Sequence, residues 1–381
     1  MKVILEVQSA CMPEPRGTAF YTIQVIQNLL KRKKNNYELT LFDENRERGN
    51  RKWVDKYFGE YKVPIHECTT LNYRKTFSDN TLYNNHSYND YTKTSGDIYH
   101  FFGLVSVPER LVGNMVVSIH DMLHIRYPDY YSQRAVEMAR FNLNIIKKVK
   151  PTVITLSEYS KKEIIHFSNI PEEKIIVVPG SYDESSCLLD NNIDLLRQLN
   201  INSPYLLFLS AIAKNKNLSR VIEAFEMIAD KYPDLILVVA GGNAALPDDQ
   251  ALIKLKNSRY SSRIKKIGYV NEELKHTLYS NATAFLFPTL FEGFGLPILE
   301  AMARGCPVIT SNTTSLPEVA GNAAILIDPY DSEQIAIEIE RIISSESLQN
   351  KLYQKGLLRV KNYSWDKTAE MIEKTYKRIL L

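Results

Sequence analysis

Along the chain, short runs of aliphatic and β-branched residues alternate with longer segments whose apolar residues recur at helical spacing. In the first half the short runs are residues 3–7, 39–42, 98–101, 115–119, 153–156 and 175–178. In the second half they are residues 205–209, 235–240, 264–270, 284–288, 307–310 and 324–328. Continuous apolar runs, rather than strict alternation, are what strands covered on both faces require. Helical patterns fall between them at residues 22–33, 134–148, 218–231, 272–280, 297–304 and 333–344. Strand and helix in such alternation predict an α/β fold of parallel sheets with helices on both faces, and the strands suffice for two sheets.

The break between the sheets is expected near residues 180–203, a polar stretch rich in Asn, Asp and Ser with no strand-like run. Residues 72–95, rich in Tyr and Asn, read as a long mobile loop or insertion. The last segment, residues 365–381, has helical period and is expected to cross back over the first domain. The predicted division is 1–185, 186–362 and 363–381.

In open parallel sheets, ligands bind beyond the carboxyl ends of the strands. That rule singles out Gly17, His120 with Asp121, Ser157, Lys214 to Lys216, Gly241 and Gly242, Tyr269 to Asn271, Glu292 to Gly295, and Ser311 to Thr314. The strongest signal is Phe291-Glu292-Gly293-Phe294-Gly295-Leu296-Pro297-Ile298-Leu299-Glu300, which directly follows the run AFLFPT. Pro297 suits the first helical position and Gly305 the position just past the end. Two glycines before a helix let a ligand approach the backbone, and free N–H groups at a helix start attract phosphate. Glu300 is expected in the first turn, where the helix dipole alone also favours a carboxylate. The element is neither a dinucleotide fingerprint, since a third glycine is missing, nor a P-loop, since no Gly-Lys-Ser/Thr follows.

Composition narrows the alternatives. The chain has 381 residues, 44% hydrophobic and 24% charged, which is the balance of a two-domain globular protein and excludes disorder, collagen and coiled coil. Its net charge of +3 names no nucleic-acid partner. Cys11, Cys68, Cys187 and Cys306 are scattered without zinc or disulfide spacing, and no signal peptide or membrane span is evident, so a cytoplasmic protein is expected. The basic cluster Lys31-Arg32-Lys33-Lys34 ends a predicted helix, and Lys147, Lys148 and Lys150 end another. Each reads as a solvated helix end or as a peripheral contact with anionic lipid at the inner membrane face.

The Glu-x7-Glu element around GFGLP, continued by EAMARGCPVITSNTTSLPEVAGNAAILIDPYD, resembles the donor-binding half of the family-four (group 1) retaining glycosyltransferases. The likeness runs nearly unbroken from about residue 205 to 331 and extends, more weakly, to RGTAFYTIQVIQNLL, DIYHFF, SIHDMLHIRYPDYY and TLSEYSKKEI. It implies the GT-B fold, two Rossmann-like domains facing each other across a cleft, with the acceptor on the first and a nucleotide-sugar on the second. It also implies roles. Glu300 accepts hydrogen bonds from the ribose, and Glu292 lies near the transferred sugar. The backbone from Gly293 through Phe294, Gly295 and Leu296 donates to sugar or diphosphate, and Lys216 neutralises the leaving diphosphate. His120 faces the donor sugar, Gly17 admits phosphate and acceptor, and Tyr269 with Val270 meets the base. Many relatives carry an arginine where Ala211 stands, which leaves Lys216 as the main cation, aided by Lys214 or Arg16. Pro179-Gly180-Ser181 likewise replaces a common Asn-Gly.

The expected donor is GDP-mannose or a UDP-sugar, without a metal ion, since no Asp-x-Asp pair follows a strand in the second half. The expected acceptor is a glycan or lipid-linked glycan of a surface polysaccharide. A nucleotide-sugar epimerase and a non-catalytic nucleotide-sugar-binding subunit of an assembly complex are the alternatives. A dinucleotide-dependent dehydrogenase lacks its glycine fingerprint.

Overall fold

The computed structural model describes all residues except 14, 16, 44–45, 47–48, 70–85, 105–106, 184–190 and 245. The chain divides into two compact units. One comprises Met1–Pro128, Gln133–Gly180 and Trp365–Leu381, and the other comprises Asp129–Ser132 and Ser181–Ser364.

The first unit is built on a seven-stranded sheet of β1 (Lys2–Glu6), β2 (Asn36–Phe42), β3 (Ile65–Cys68), β4 (Ile98–Phe102), β5 (Asn114–Ser118), β6 (Thr152–Thr155) and β7 (Ile175–Val177). The order is β3-β2-β1-β4-β5-β6-β7 and every pairing is parallel, with Leu5 opposite Leu39 on one side and His100 on the other. The second unit has six strands, β8 (Tyr205–Leu209), β9 (Ile236–Ala240), β10 (Ile264–Gly268), β11 (Ala284–Phe287), β12 (Val308–Ser311) and β13 (Ile325–Ile327). Their order, β10-β9-β8-β11-β12-β13, again all parallel, reverses direction between β8 and β11, the switch point where such sheets bind ligands. β4 and β9 are buried at every position, as strands covered on both faces must be.

Twelve of these strands coincide with the apolar runs. The edge strand β3, Ile-His-Glu-Cys, pairs one apolar with one polar residue on each face, and its sequence gives no continuous run. The expected mobile loop at residues 72–95 needs correction in part. Residues 72–85 lie outside the described residues, but Tyr88–Thr92 is a helix closed by a capping box between Ser87 and Asp90. Tyr88 is wholly buried and its hydroxyl is 2.7 Å from Thr40 Oγ1, so this piece belongs to the core. The polar stretch at residues 180–203 likewise holds a helix, Ile193–Gln198.

Helix Trp365–Leu380 packs on helix Thr18–Arg32 within the first unit. Trp365 meets the rings of Phe20 and Tyr21 edge to face, and Thr368 Oγ1 donates to Pro179 O at 2.7 Å. Arg32 Nε donates to Glu373 Oε2 at 3.0 Å and its Nη1 to Asp366 Oδ1 at 2.6 Å. Arg32 is therefore a clamp on this helix, not the solvated or lipid-facing cation expected from the run of basic residues. No described helix is long and apolar enough to cross a membrane.

Candidate functional site

The loop after β11 and the turn before helix Leu296–Ala303 form the centre of the second unit's carboxyl edge. Gly295 adopts φ +107°, and a Cβ there would lie 2.8 Å from Leu316 Cδ2, so glycine is needed for both backbone and space. The helix starts at Leu296, which places Pro297 second instead of first and Glu300 a full turn in. Glu300 is thus not a first-turn carboxylate held by the dipole; neighbouring side chains hold it.

Those side chains lie on helix Glu272–Asn281, which Asn271 caps by accepting from Leu274 N at 2.9 Å. Lys275 Nζ donates to Glu300 Oε1 at 3.0 Å, and Tyr279 Oη donates to Glu300 Oε2 at 3.3 Å. Lys275 also pairs with Glu272 at 2.9 Å. The Lys275 and Glu300 side chains are only 12% and 13% exposed. Burial opposes the charge on Lys275, yet Glu300 and Glu272 outweigh it and hold the ammonium above its ordinary range. For Glu272, burial is likewise overcome, by His276 and Lys275, and its carboxyl is pulled down to about 2. The Tyr279 hydroxyl is pushed up by burial and then by the neighbouring Glu300. Lys275 and Tyr279 are i, i+4 partners on one helix face, a spacing visible in EELKHTLYSN, but only the fold shows that this face meets Glu300.

Glu292 has its own cation. Lys216 Nζ is 2.5 Å from Glu292 Oε1 and 5.6 Å from the centre of the Phe287 ring. Lys216 closes a short 3-10 turn, Lys214–Lys216, which Asn217 fixes in place. Asn217 sits at φ +63° and donates from Nδ2 to Pro288 O and Pro329 O, while Leu290 N donates to Asn215 O. These bonds tie the lysine turn to the exit of β11. On the other flank Glu292 N donates to Thr314 Oγ1 at 3.2 Å, and Ser315 Oγ lies 3.0 Å from the carbonyl oxygens of Glu292 and Phe294, to which it donates. Phe294 is buried, and Gly293 and Leu296 complete the same turn.

Tyr269 and Val270 follow β10 and lead directly into the Lys275 helix; the Tyr269 side chain is half exposed and Val270 is buried. At Gly241 a Cβ would lie 2.0 Å from Ser210 O, so the backbones leaving β8 and β9 touch beside Ala211. Of the sequence-derived residues, Lys216 and Glu292 form one cluster of the second unit, and Glu300 forms another with Lys275 and Tyr279, which the sequence did not single out.

Gly17 and His120 belong to the first unit, where Tyr21 joins them. Gly17 adopts φ +52° ahead of helix Thr18–Arg32, and its carbonyl accepts from Tyr21 N at 3.0 Å. The Tyr21 ring meets the His120 ring edge to face at 4.6 Å. Burial pulls the His120 pKa down to about 4, so the ring is neutral, and its occluded Nε2 has no hydrogen-bond partner. Arg16, the other cation considered for the diphosphate, lies outside the described residues.

Residues 194–359 match the family described as Glycosyl transferases group 1. The O-antigen chain mannosyltransferase B of Escherichia coli is 28% identical over 281 residues, which cover 71% of this chain and 72% of that protein. Serotype-specific mannosyltransferase WbdA of the same species is 25% identical over 67% of this chain, but that match covers only 31% of its own length. Among solved structures, Anabaena HepE in complex with UDP and glucose shares the fold with a TM-score of 0.71 at 16% identity, over 99% of both chains. Residues 194–359 are thus similar to the glycosyl transferases group 1 family, and the chain is a glycosyltransferase built on two Rossmann-like parallel-sheet units.

Proposed function

We propose that the chain transfers a hexosyl group, mannose foremost, from a nucleoside diphosphate to a hydroxyl of a growing surface or exopolysaccharide, with retention of configuration. Mannose is favoured by the relatives' names; HepE, seen with UDP and glucose, makes a UDP-sugar the other donor to test. The observation that carries the reading is the Lys216–Glu292 pair set against the Gly295 turn.

In the proposed chemistry the bond from the anomeric carbon to the β-phosphate oxygen breaks, leaving positive charge on the sugar and negative charge on the diphosphate. Lys216 and the amides of the Gly293 to Leu296 turn stabilise the departing oxygens, as positioned dipoles and cations do in water-poor sites. Glu292, held beside Lys216, accepts sugar hydroxyls and faces the developing positive charge. Glu300 accepts the ribose hydroxyls, and the strand-end backbone at Tyr269 and Val270 meets the base. The acceptor oxygen bonds to the anomeric carbon on the face the phosphate leaves, and its proton passes to the leaving phosphate oxygen.

Incubation with GDP-mannose and with UDP-glucose, each with a mannose-terminated oligosaccharide, tests the reading when the product linkage is assigned by NMR. An α-linked product with release of nucleoside diphosphate is expected. An inverted linkage, or isomerised donor without transfer, overturns it.

A further inference from the structure

Glu300 stands at the end of a continuous chain of polar and charged groups that joins two helices. Arg304 Nε lies 3.1 Å from His276 Nδ1, to which it donates, and His276 Nε2 lies 3.5 Å from Glu272 Oε2. Glu272 pairs with Lys275, and Lys275 with Glu300. On helix Glu272–Asn281 the members are spaced i, i+3, i+4 and, counting Tyr279, i+7; on the facing helix Glu300 and Arg304 are i, i+4. Two cations and two carboxylates cancel, which is the condition for burying charged groups without expelling their protons.

At the Glu300 end the valences are incompletely used. A carboxylate offers about four acceptor sites. Lys275 occupies one on Oε1 and Tyr279 one on Oε2, so one acceptor direction on each oxygen is left for a ligand. Two adjacent oxygens, each with one remaining acceptor direction, match two hydroxyls on neighbouring carbons.

We propose that Lys275 is a positioning residue that sets the Glu300 carboxylate to read the vicinal 2′,3′-diol of the donor ribose, and so makes the enzyme select ribonucleotide over 2′-deoxyribonucleotide sugars. The inference rests on the assignment of Glu300 to the ribose. Without Lys275, Glu300 loses the donor on its Oε1 and the cation between it and Glu272, turns away, and loses the aligned pair of acceptors. The effect falls on donor binding and not on bond breaking, because Lys275 lies beside the ribose carboxylate and not at the Lys216 pair.

The test compares GDP-mannose with 2′-deoxy-GDP-mannose, or the UDP pair if that is the donor, measuring KM and kcat for wild type, Lys275→Met, Lys275→Arg and Lys275→Met/Glu272→Gln. The double variant removes the opposing carboxylate and keeps the protein folded if the single one is unstable; thermal melting monitors both. Wild type is expected to prefer the ribonucleotide at least tenfold in kcat/KM, the scale of one charge-assisted hydrogen bond. Lys275→Met and the double variant should raise donor KM about tenfold, leave kcat within about threefold, and erase the preference; Lys275→Arg should restore most of it. A wild type without preference overturns the ribose assignment of Glu300. A wild-type preference that survives in folded Lys275→Met and in the double variant overturns the positioning role alone.

Discussion

Lys216 Nζ and Glu292 Oε1 are 2.5 Å apart in a half-buried pair, with each partner fixed by its own backbone anchors at Asn217 and Thr314. A diphosphate arriving beside Lys216 must share the ammonium with Glu292. Under the proposed chemistry, the pair would keep the lysine compensated until the donor's charge is present.

Lys216→Met should lower kcat/KM by about 10²–10³, or about 3–4 kcal/mol, by removing the cation that meets the leaving oxygens. Glu292→Gln frees the ammonium, so it should tighten nucleoside diphosphate binding while lowering kcat. Calorimetry with the product nucleotide, together with initial rates, checks both. Unchanged nucleotide affinity in each variant would dissolve the shared-ammonium description.

Gly295→Ala places a Cβ against Leu316 at a residue with φ +107°. A loss of about 1–3 kcal/mol is expected from urea unfolding, with a parallel fall in activity because the turn carries the amides. Gly241→Ala, where the conflict is with a backbone carbonyl, should cost more.

Among the described residues, Arg32→Met leaves Glu373, almost wholly buried, with only the Tyr37 hydroxyl, which is 3.1 Å from its Oε1. Removing one member of such a pair costs about 3–5 kcal/mol, discounted here because Asp366 is exposed and Arg32 partly so. Adding Glu373→Gln should recover part of the loss, and a double-mutant cycle read from urea midpoints measures it.

His100 is fully buried, with Tyr376 Oη 2.5 Å from Nδ1 and Ser118 Oγ 2.8 Å from Nε2. Burial, and then the neighbouring His120, lowers its pKa from 6.5 to about 3. The unfolded chain then binds a proton that the folded one refuses. The neutral ring's contribution is complete above pH 6.5 and is lost progressively as pH falls from 6.5 to about 3. Each such histidine adds a slope approaching 1.4 kcal/mol per pH unit, so His100→Gln should be less acid-sensitive than wild type between pH 6 and 4. Urea unfolding at several pH values decides the matter.

The strand runs and the Glu292-to-Glu300 element were legible in the sequence because continuous β-branched stretches and a glycine pair before a helix have few other physical readings. The partners of Glu300 were not. Lys275 and Tyr279 sit in an ordinary polar helix, and nothing local says which face meets Glu300. Arg32 reads as the end of a basic run because its acids, Asp366 and Glu373, lie more than 330 residues away. β3 escaped notice because an edge strand of four residues, only partly buried, needs no apolar run.

The central claim is that Glu300 and Lys216 hold the two ends of one nucleoside diphosphate. Calorimetric titration of GDP and UDP into wild type, Glu300→Ala and Lys216→Met measures it directly. Binding of one nucleotide that weakens at least tenfold in each variant is the predicted result. Equal affinity in all three proteins would contradict the account.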